Sequence, residues 1–380
     1  MLFNDICGFE QTKRQLLESV KKNRVSHAQL FFGPTGNAKI SLALAYAQYL
    51  NCLKRTDKDS CGNCNSCIKY KNLTHPDLHF IFPVLKTPEY NKPISDNFIQ
   101  QWREMVLSNP YFNINNWISH LDVNKKKLKP QIYVHESEDI QKKMMLKNYE
   151  ANKKVFFVWL PENMNIPAAN KLLKTIEEPN PKTVFIMISE NVNKIIPTIK
   201  SRLQMIRTKR FSIDEASCQV EKTNQPVQNI NELYQLTNGD MGQILFLSRN
   251  ENEVNQNFEE FVFIMRACYQ ANIEKISIFT ENMSSKNNMQ QELFLSYALK
   301  IIRDCLLYKY SSELLLISKK EKDFIANFHQ FVNGGNIVQI TEEIEEAIRL
   351  INRNANPKIL FFDLCLKLTK LINSKSKIVN

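Results

Sequence analysis

The apolar run Leu30-Phe31-Phe32 ends directly on Gly33-Pro34-Thr35-Gly36-Asn37-Ala38-Lys39-Ile40, and a helix-forming stretch from Ser41 to Leu50 follows. That order restricts the fold more than any other feature. A Gly-x4-Gly-Lys-Ser/Thr loop is credible as a phosphate cradle only when a strand enters it and a helix leaves it. Here the pattern is damaged. Gly33, Gly36 and Lys39 remain, but Ala38 replaces the second motif glycine and Ile40 replaces the hydroxyl. In an intact loop the glycines let the backbone curl around phosphates, the lysine meets their charge, and the hydroxyl holds magnesium. Ile40 offers no oxygen, so the sequence predicts an ATPase architecture that does not hydrolyse ATP itself. Lys39 then either still holds a phosphate or sulfate through surviving loop donors or is a solvated surface lysine.

Further strands are expected at Ile132–Val134, Val155–Val158 and Val184–Ile188, with helical segments between them. This alternation predicts an α/β fold with a parallel sheet covered on both faces. Residues 86–130 break the rhythm with Pro88, Pro93, Pro110 and Pro130, and read as an insertion or decorated surface. Trp102, Tyr111 and Trp117 mark the part of it that packs. A chain of 380 residues calls for two or three cores, and 43% hydrophobic content excludes wholesale disorder. Ser212-Ile213-Asp214-Glu215 has capping-box spacing and opens a new helical section. Three stripes at helical spacing follow, the first Phe258, Phe261, Val262 and Met265, then Ala298, Ile301, Ile302 and Cys305, then Ile344, Ala347, Ile348 and Ile351. The resulting division is 1–211, 212–253 and 254–380.

Cys52, Cys61, Cys64 and Cys67 follow a C-x8-C-x2-C-x2-C spacing. Four thiolates close a tetrahedral structural zinc site, with no position left open for water; spacing alone also admits an iron–sulfur cluster. The neighbouring Lys54, Arg55, Lys58, Lys69 and Lys71 face either DNA or water. His75-Pro76-Asp77 reads as the return from this knuckle to the sheet, not as a fifth ligand. The other five cysteines are scattered, which together with the absence of a basic leader and apolar span leads us to expect a cytoplasmic protein without membrane insertion. The formal net charge of +11 favours an acidic partner such as nucleic acid, although the run Lys125–Lys127 is equally a solvated loop.

Taken together, His27-Ala28-Gln29-Leu30-Phe31-Phe32-Gly33-Pro34, the cysteine cluster, His75-Pro76-Asp77, Ala169 through Pro179 (Ala-Asn-Lys-Leu-Leu-Lys-Thr-Ile-Glu-Glu-Pro) and Ile196 through Arg202 resemble the delta-prime subunits of the bacterial DNA polymerase III clamp loader. The resemblance covers about residues 3–211, apart from 86–130. It implies a RecA-like AAA+ P-loop domain with a zinc-binding insertion at 52–67, a small helical lid at 212–253, and an all-helical collar at 254–380 that joins subunits into a ring. Implied partners are the gamma/tau motor subunits, the delta subunit, the sliding clamp through the assembled complex, and primed DNA. The implied role is that of a stator, a subunit of the polymerase complex that is not an enzyme alone.

The same resemblance allows the nucleotide site to be audited. Aligning Lys154–Val158 on the strand that carries the family's acidic pair places Trp159 at the Asp position and Leu160 at the Glu position. In the lid, Gly242 stands where a motor subunit has an arginine. Magnesium hydroxyl, acidic pair and lid cation are all missing, so the site is degenerate and ATP hydrolysis is not expected. Arg202 survives, and the resemblance makes it an arginine finger acting on ATP held by a neighbouring subunit, with Ser201 orienting its turn. Two other classes stay open from the residues alone: a stand-alone P-loop nucleotide-binding ATPase, and a zinc-dependent DNA-binding adaptor.

Overall fold

The computed structural model describes residues 1–121, 130–223, 227, 230–249, 251–308, 319–351, 353 and 355–373. The lysine run 125–127 therefore lies outside the described residues. The chain forms two compact units, one of Met1–Thr223 with Asp240–Gly242, the other of Asn224–Gly239 with Gln243–Asn380.

The first unit runs α1 (Glu10–Lys21), β1 (Ala28–Phe32), α2 (Lys39–Asn51), α3 (Asn65–Lys71), β2 (Leu78–Ile81), α4 (Ile99–Ser108), α5 (Ile114–His120), α6 (Val134–Met145), β3 (Lys154–Trp159), α7 (Ile166–Glu177), β4 (Thr183–Ser189), α8 (Pro197–Lys200), β5 (Gln204–Arg207) and α9 (Ile213–Lys222). Its five strands are ordered β2-β3-β4-β1-β5, and every pair is parallel. Strands β3 and β4 are buried at every residue, as continuous apolar runs in a doubly covered sheet must be. Helix α2 is likewise buried along its whole length, which explains why its apolar residues do not keep to one face.

Two strands escape the sequence reading, and one expected strand does not form. β2 is four residues interrupted by His79, and β5 buries only Ile206, so neither shows a clear pattern. Ile132–Val134 looks like a strand because all three residues favour β structure. Instead Val134 opens α6, and Ile132 makes only an isolated bridge to Met164. The α6 start is anchored by Glu136, whose buried carboxylate accepts the Ser95 N–H at 2.7 Å. The Ser212 cap forms as expected: the Glu215 N–H donates to its hydroxyl at 3.2 Å, and the Ser212 N–H donates to the Glu215 carboxylate at 2.8 Å. Cys7 and Cys218, 211 positions apart, are joined by a disulfide that no local motif announces.

The second unit contains α10 (Ile230–Thr237), most of α11 (Met241–Arg249), α12 (Glu251–Tyr269), α13 (Ile273–Ser285), α14 (Asn288–Tyr308), α15 (Lys319–Phe328), α16 (Ile337–Ile351) and α17 (Pro357–Asn373). Phe261, Met265, Ala298, Ile301, Ile302, Cys305, Ile344, Ala347 and Ile351 all enter one core, so the three stripes serve packing. Beside it lies a buried polar cluster: the Tyr297 hydroxyl donates to Glu321 at 2.5 Å, and Lys300 lies 3.2 Å from Glu321 and 3.3 Å from Glu232. Burial and these carboxylates push the Asp304 carboxyl up to about 6. Among the described residues no helix is long and apolar enough to cross a membrane.

Candidate functional site

β1 delivers the chain to the loop at 33–40, and α2 begins at Lys39, so the strand–loop–helix setting is present. The loop's donors, however, are turned on itself. The Lys39 ammonium donates to the carbonyl oxygen of Gly33 at 3.0 Å and to that of Pro34. The Lys39 N–H, placed to meet a phosphate in an open loop, donates to the Asn37 side chain at 3.1 Å. Asn37 in turn donates to the Thr208 hydroxyl at 2.8 Å, tying the loop to the end of β5. Lys39 is 4% exposed, which corrects the solvated-lysine reading: its stem is enclosed and its charge is met by the loop's own carbonyls. Burial lowers its pKa, opposed by the nearby carboxylates of Glu190, Asp240 and Glu162. Ile40 is buried as well and packs as an apolar residue.

The end of β3, where Trp159 and Leu160 were expected at the acidic positions, is surrounded by aromatic rings. Trp159 ends β3 and is 1% exposed. Its ring centroid lies 5.2 Å from that of Trp102 and 4.9 Å from that of Phe112, both contributed by the segment between β2 and α6. Phe82 stacks on Trp102 at 4.4 Å, and Trp117 closes the cluster edge-on at 5.6 Å from Trp102. Trp102, Tyr111 and Trp117 are buried as expected of the packing part of this segment, which in its described part forms a hydrophobic wedge against the end of β3. Its Tyr111 carbonyl also settles position 242: a Cβ on Gly242 would lie 2.5 Å from that oxygen, so no arginine fits there without displacing the wedge. Leu160 adopts a left-handed backbone (φ 55°) and is buried. Glu162 turns toward the end of β4, where it accepts the N–H groups of Glu190 at 2.8 Å and Asn191 at 2.9 Å. Between loop and wedge a cavity of only about 10 Å³ remains, lined by Gly36, Lys39, Ile40, Tyr111, Phe112 and Trp159. Ligand pockets for molecules of nucleotide size occupy roughly 300–1,000 Å³.

The four cysteines of the knuckle come together, with all four sulfurs within 4.8 Å of one another. Zn–S bonds of about 2.3 Å in a tetrahedron put sulfurs about 3.8 Å apart. The Cys52–Cys61 and Cys61–Cys67 separations of 3.5 and 3.9 Å fit that set. Cys64 caps α3, its sulfur accepting the Cys67 N–H at 3.5 Å, and the Cys61 N–H donates to the Cys52 sulfur at 3.3 Å. Such N–H contacts stabilise thiolates. His75 stands apart as a structural residue. Its Nδ1 accepts the Asp77 N–H at 3.1 Å, while the Asp77 carboxylate receives the N–H groups of Tyr149, Glu150 and Ala151 at 2.8–2.9 Å.

Arg202 follows α8 on a half-exposed turn. Its guanidinium donates to the Thr198 carbonyl at 2.7 Å and pairs with Glu177 at 2.5 Å. Ser201 joins this small network, donating to Thr198 O at 3.1 Å and accepting from Arg202 at 3.4 Å. It holds the turn and has no activating base among these contacts. Glu177 as the partner of Arg202, Asn37 as the loop's internal acceptor, and Asp240 beside Gly36 were not legible in the sequence. Glu177 and Asp240 act on residues distant along the chain, and Asn37, which accepts from Lys39 two positions on, is held in place by distant Thr208; only the Glu177 position had any local signal, the Glu-Glu-Pro end of α7.

A five-stranded parallel sheet with a phosphate-loop turn between its first strand and a buried helix places the first unit in the α/β phosphate-loop class. Residues 8–212, more than half of the chain, match the family described as DNA polymerase III, delta subunit, and the chain belongs to that family. It is 24% identical over 358 residues to the DNA polymerase III subunit delta' of Bacillus subtilis, covering 93% of this chain and 94% of that protein. It is 30% identical over 177 residues to the subunit delta' of Pseudomonas aeruginosa, covering 47% of this chain and 41% of that protein. The Bacillus subtilis subunit tau matches at 25% over 210 residues, covering 55% of this chain and 29% of tau.

Proposed function

We propose that this chain is the non-catalytic delta-prime subunit, the stator, of a DNA polymerase III clamp loader, and that Arg202 acts in trans on ATP held by an adjacent gamma/tau motor subunit. The observation that carries the reading is the contrast between two cations. Lys39 is enclosed and satisfied by its own loop, whereas Arg202 sits on a half-exposed turn with a planar guanidinium. A guanidinium suits the charge that builds on a transferring phosphoryl group. Glu177 keeps Arg202 positioned in the free chain, and a phosphate from a neighbour would replace it as the partner. Such fingers are worth about 10³–10⁵-fold in rate in well-studied GTPases.

Within this proposal, residues 1–211 form the AAA+ domain, 212–253 the lid and 254–380 the collar, and the delta subunit, sliding clamp and primed DNA are the further partners. Zinc is the metal proposed for Cys52, Cys61, Cys64 and Cys67, holding α3 against the preceding loop; the closed sulfur set supports a structural role over a catalytic one. The test is assembly. Mixed with gamma/tau and delta, the purified chain should enter one complex of defined mass, and alone it should show no ATP turnover. Magnesium-dependent turnover by the isolated chain, abolished by Lys39→Met, would instead establish the stand-alone ATPase.

A further inference from the structure

The glycine at the bend of the loop is already in contact with an anion, and that anion belongs to the protein. Gly36 has φ +65°, and the Asp240 carboxylate lies against it so closely that a Cβ built there would fall 2.0 Å from Oδ1. Asp240 is part of the same compact unit as the loop, and the next residue fixes its approach: the Met241 N–H donates to Gly36 O at 3.0 Å. Lys39 lies in the combined field of Asp240, Glu190 and Glu162, with Arg210 as the opposing cation. An incoming phosphate would therefore meet like charge from three carboxylates, one of them touching the glycine that an open loop would present. Buried charges persist when they are paired. Here the lysine has been supplied with internal acceptors in the place where an external anion would otherwise supply them.

We propose that the loop at 33–40 is a masked anion site of the pyrophosphate class, and that the Asp240 carboxylate is the built-in occupant that keeps it closed. The proposal rests on the reading of this chain as a subunit that does not use ATP. It adds that, beside the loop's own acceptors for Lys39 and the more general field of Glu190 and Glu162, the carboxylate set against Gly36 is an obstacle that a single substitution removes, distinct from the aromatic wedge next to the loop. Because Ile40 contributes no oxygen, binding at the unmasked loop does not require magnesium.

The experiment is calorimetric titration of the purified full-length chain with inorganic pyrophosphate in EDTA, using wild type, Asp240→Ala, Asp240→Asn and the double variant Asp240→Ala/Lys39→Met. Asp240→Asn keeps the shape and removes the charge, so it carries the test if the alanine variant fails to fold. A thermal melt establishes folding for each protein. The expected result is binding by the folded Asp240 variants at least about tenfold tighter than by wild type, as removal of a like charge facing the ligand implies, and its loss in the double variant. Folded Asp240 variants that bind no better than wild type would overturn the masking role while leaving the non-hydrolysing reading intact. Tight binding by wild type would overturn the masking role by showing the loop already open, and gained binding that survives Lys39→Met would place the anion elsewhere and overturn the assignment to this loop.

Discussion

Trp159 gives the most quantitative test of the claim that the end of β3 is hydrophobic core. The side chain is 1% exposed and packs between Trp102 and Phe112 at centroid separations of 5.2 and 4.9 Å. Truncation of a buried Trp to Ala costs about 3–5 kcal/mol when the cavity does not collapse. Aromatic pairs add about 0.5–1.5 kcal/mol each beyond area burial. Its two ring neighbours, Trp102 and Phe112, are themselves buried, and Phe82 backs Trp102 by stacking on it, so the site resists collapse and Trp159→Ala should cost about 4 kcal/mol. Trp159→Asp should cost more, because a carboxylate in that apolar corner has no partner. The assay is urea denaturation followed by tryptophan fluorescence. All three tryptophans, Trp102, Trp117 and Trp159, lie in the first unit, so the signal reports that unit even though the chain has two. A shift worth less than about 1 kcal/mol for Trp159→Ala would refute the packing argument.

Three further outcomes are expected. Burial raises the Glu136 carboxyl to about 7, so the folded protein binds a proton there more tightly than the unfolded chain does. Stability from this group is present below the ordinary carboxylate range and is lost as pH rises toward 7, by up to about 3 kcal/mol; Glu136→Gln should flatten that slope in denaturation measured from pH 5 to 8. Metal analysis of the purified protein should find about one zinc per chain. Cys64→Ala should release it and lower the first unit's melting temperature, and retention of full zinc by that variant would remove Cys64 from the ligand set. Glu177→Gln should change stability by no more than about 1 kcal/mol, since the pair with Arg202 is half exposed. A larger loss in a thermal melt would show that Glu177 has a packing role beyond positioning the arginine.

How much of this was readable from residues alone depends on the range of the interactions involved. Val155–Val158 and Val184–Ile188 announce buried strands because a doubly covered sheet demands uninterrupted apolar runs. Gln204–Arg207 does not, because an edge strand with one buried residue needs no such run. The cysteine cluster is legible because its four thiols are close in sequence and their spacing matches a strict geometry that brings the sulfurs together. The loss of the hydroxyl at Ile40 is equally local. The contacts that fill this region are not local. Asp240 reaches Gly36, and Trp102 reaches Trp159, through contacts that the fold alone creates. The insertion is legible in part: Trp102, Tyr111 and Trp117 mark its packing residues, but not that Trp102 and Phe112 meet Trp159 at the end of β3.

Arg202 is the residue on which a role in trans depends most directly. In a clamp loader reconstituted from the motor subunits, the delta subunit and this chain, DNA-stimulated ATP turnover should fall sharply when Arg202 becomes Ala, with assembly unchanged by mass measurement. Turnover at the wild-type rate in that correctly assembled complex would contradict the proposed role in trans.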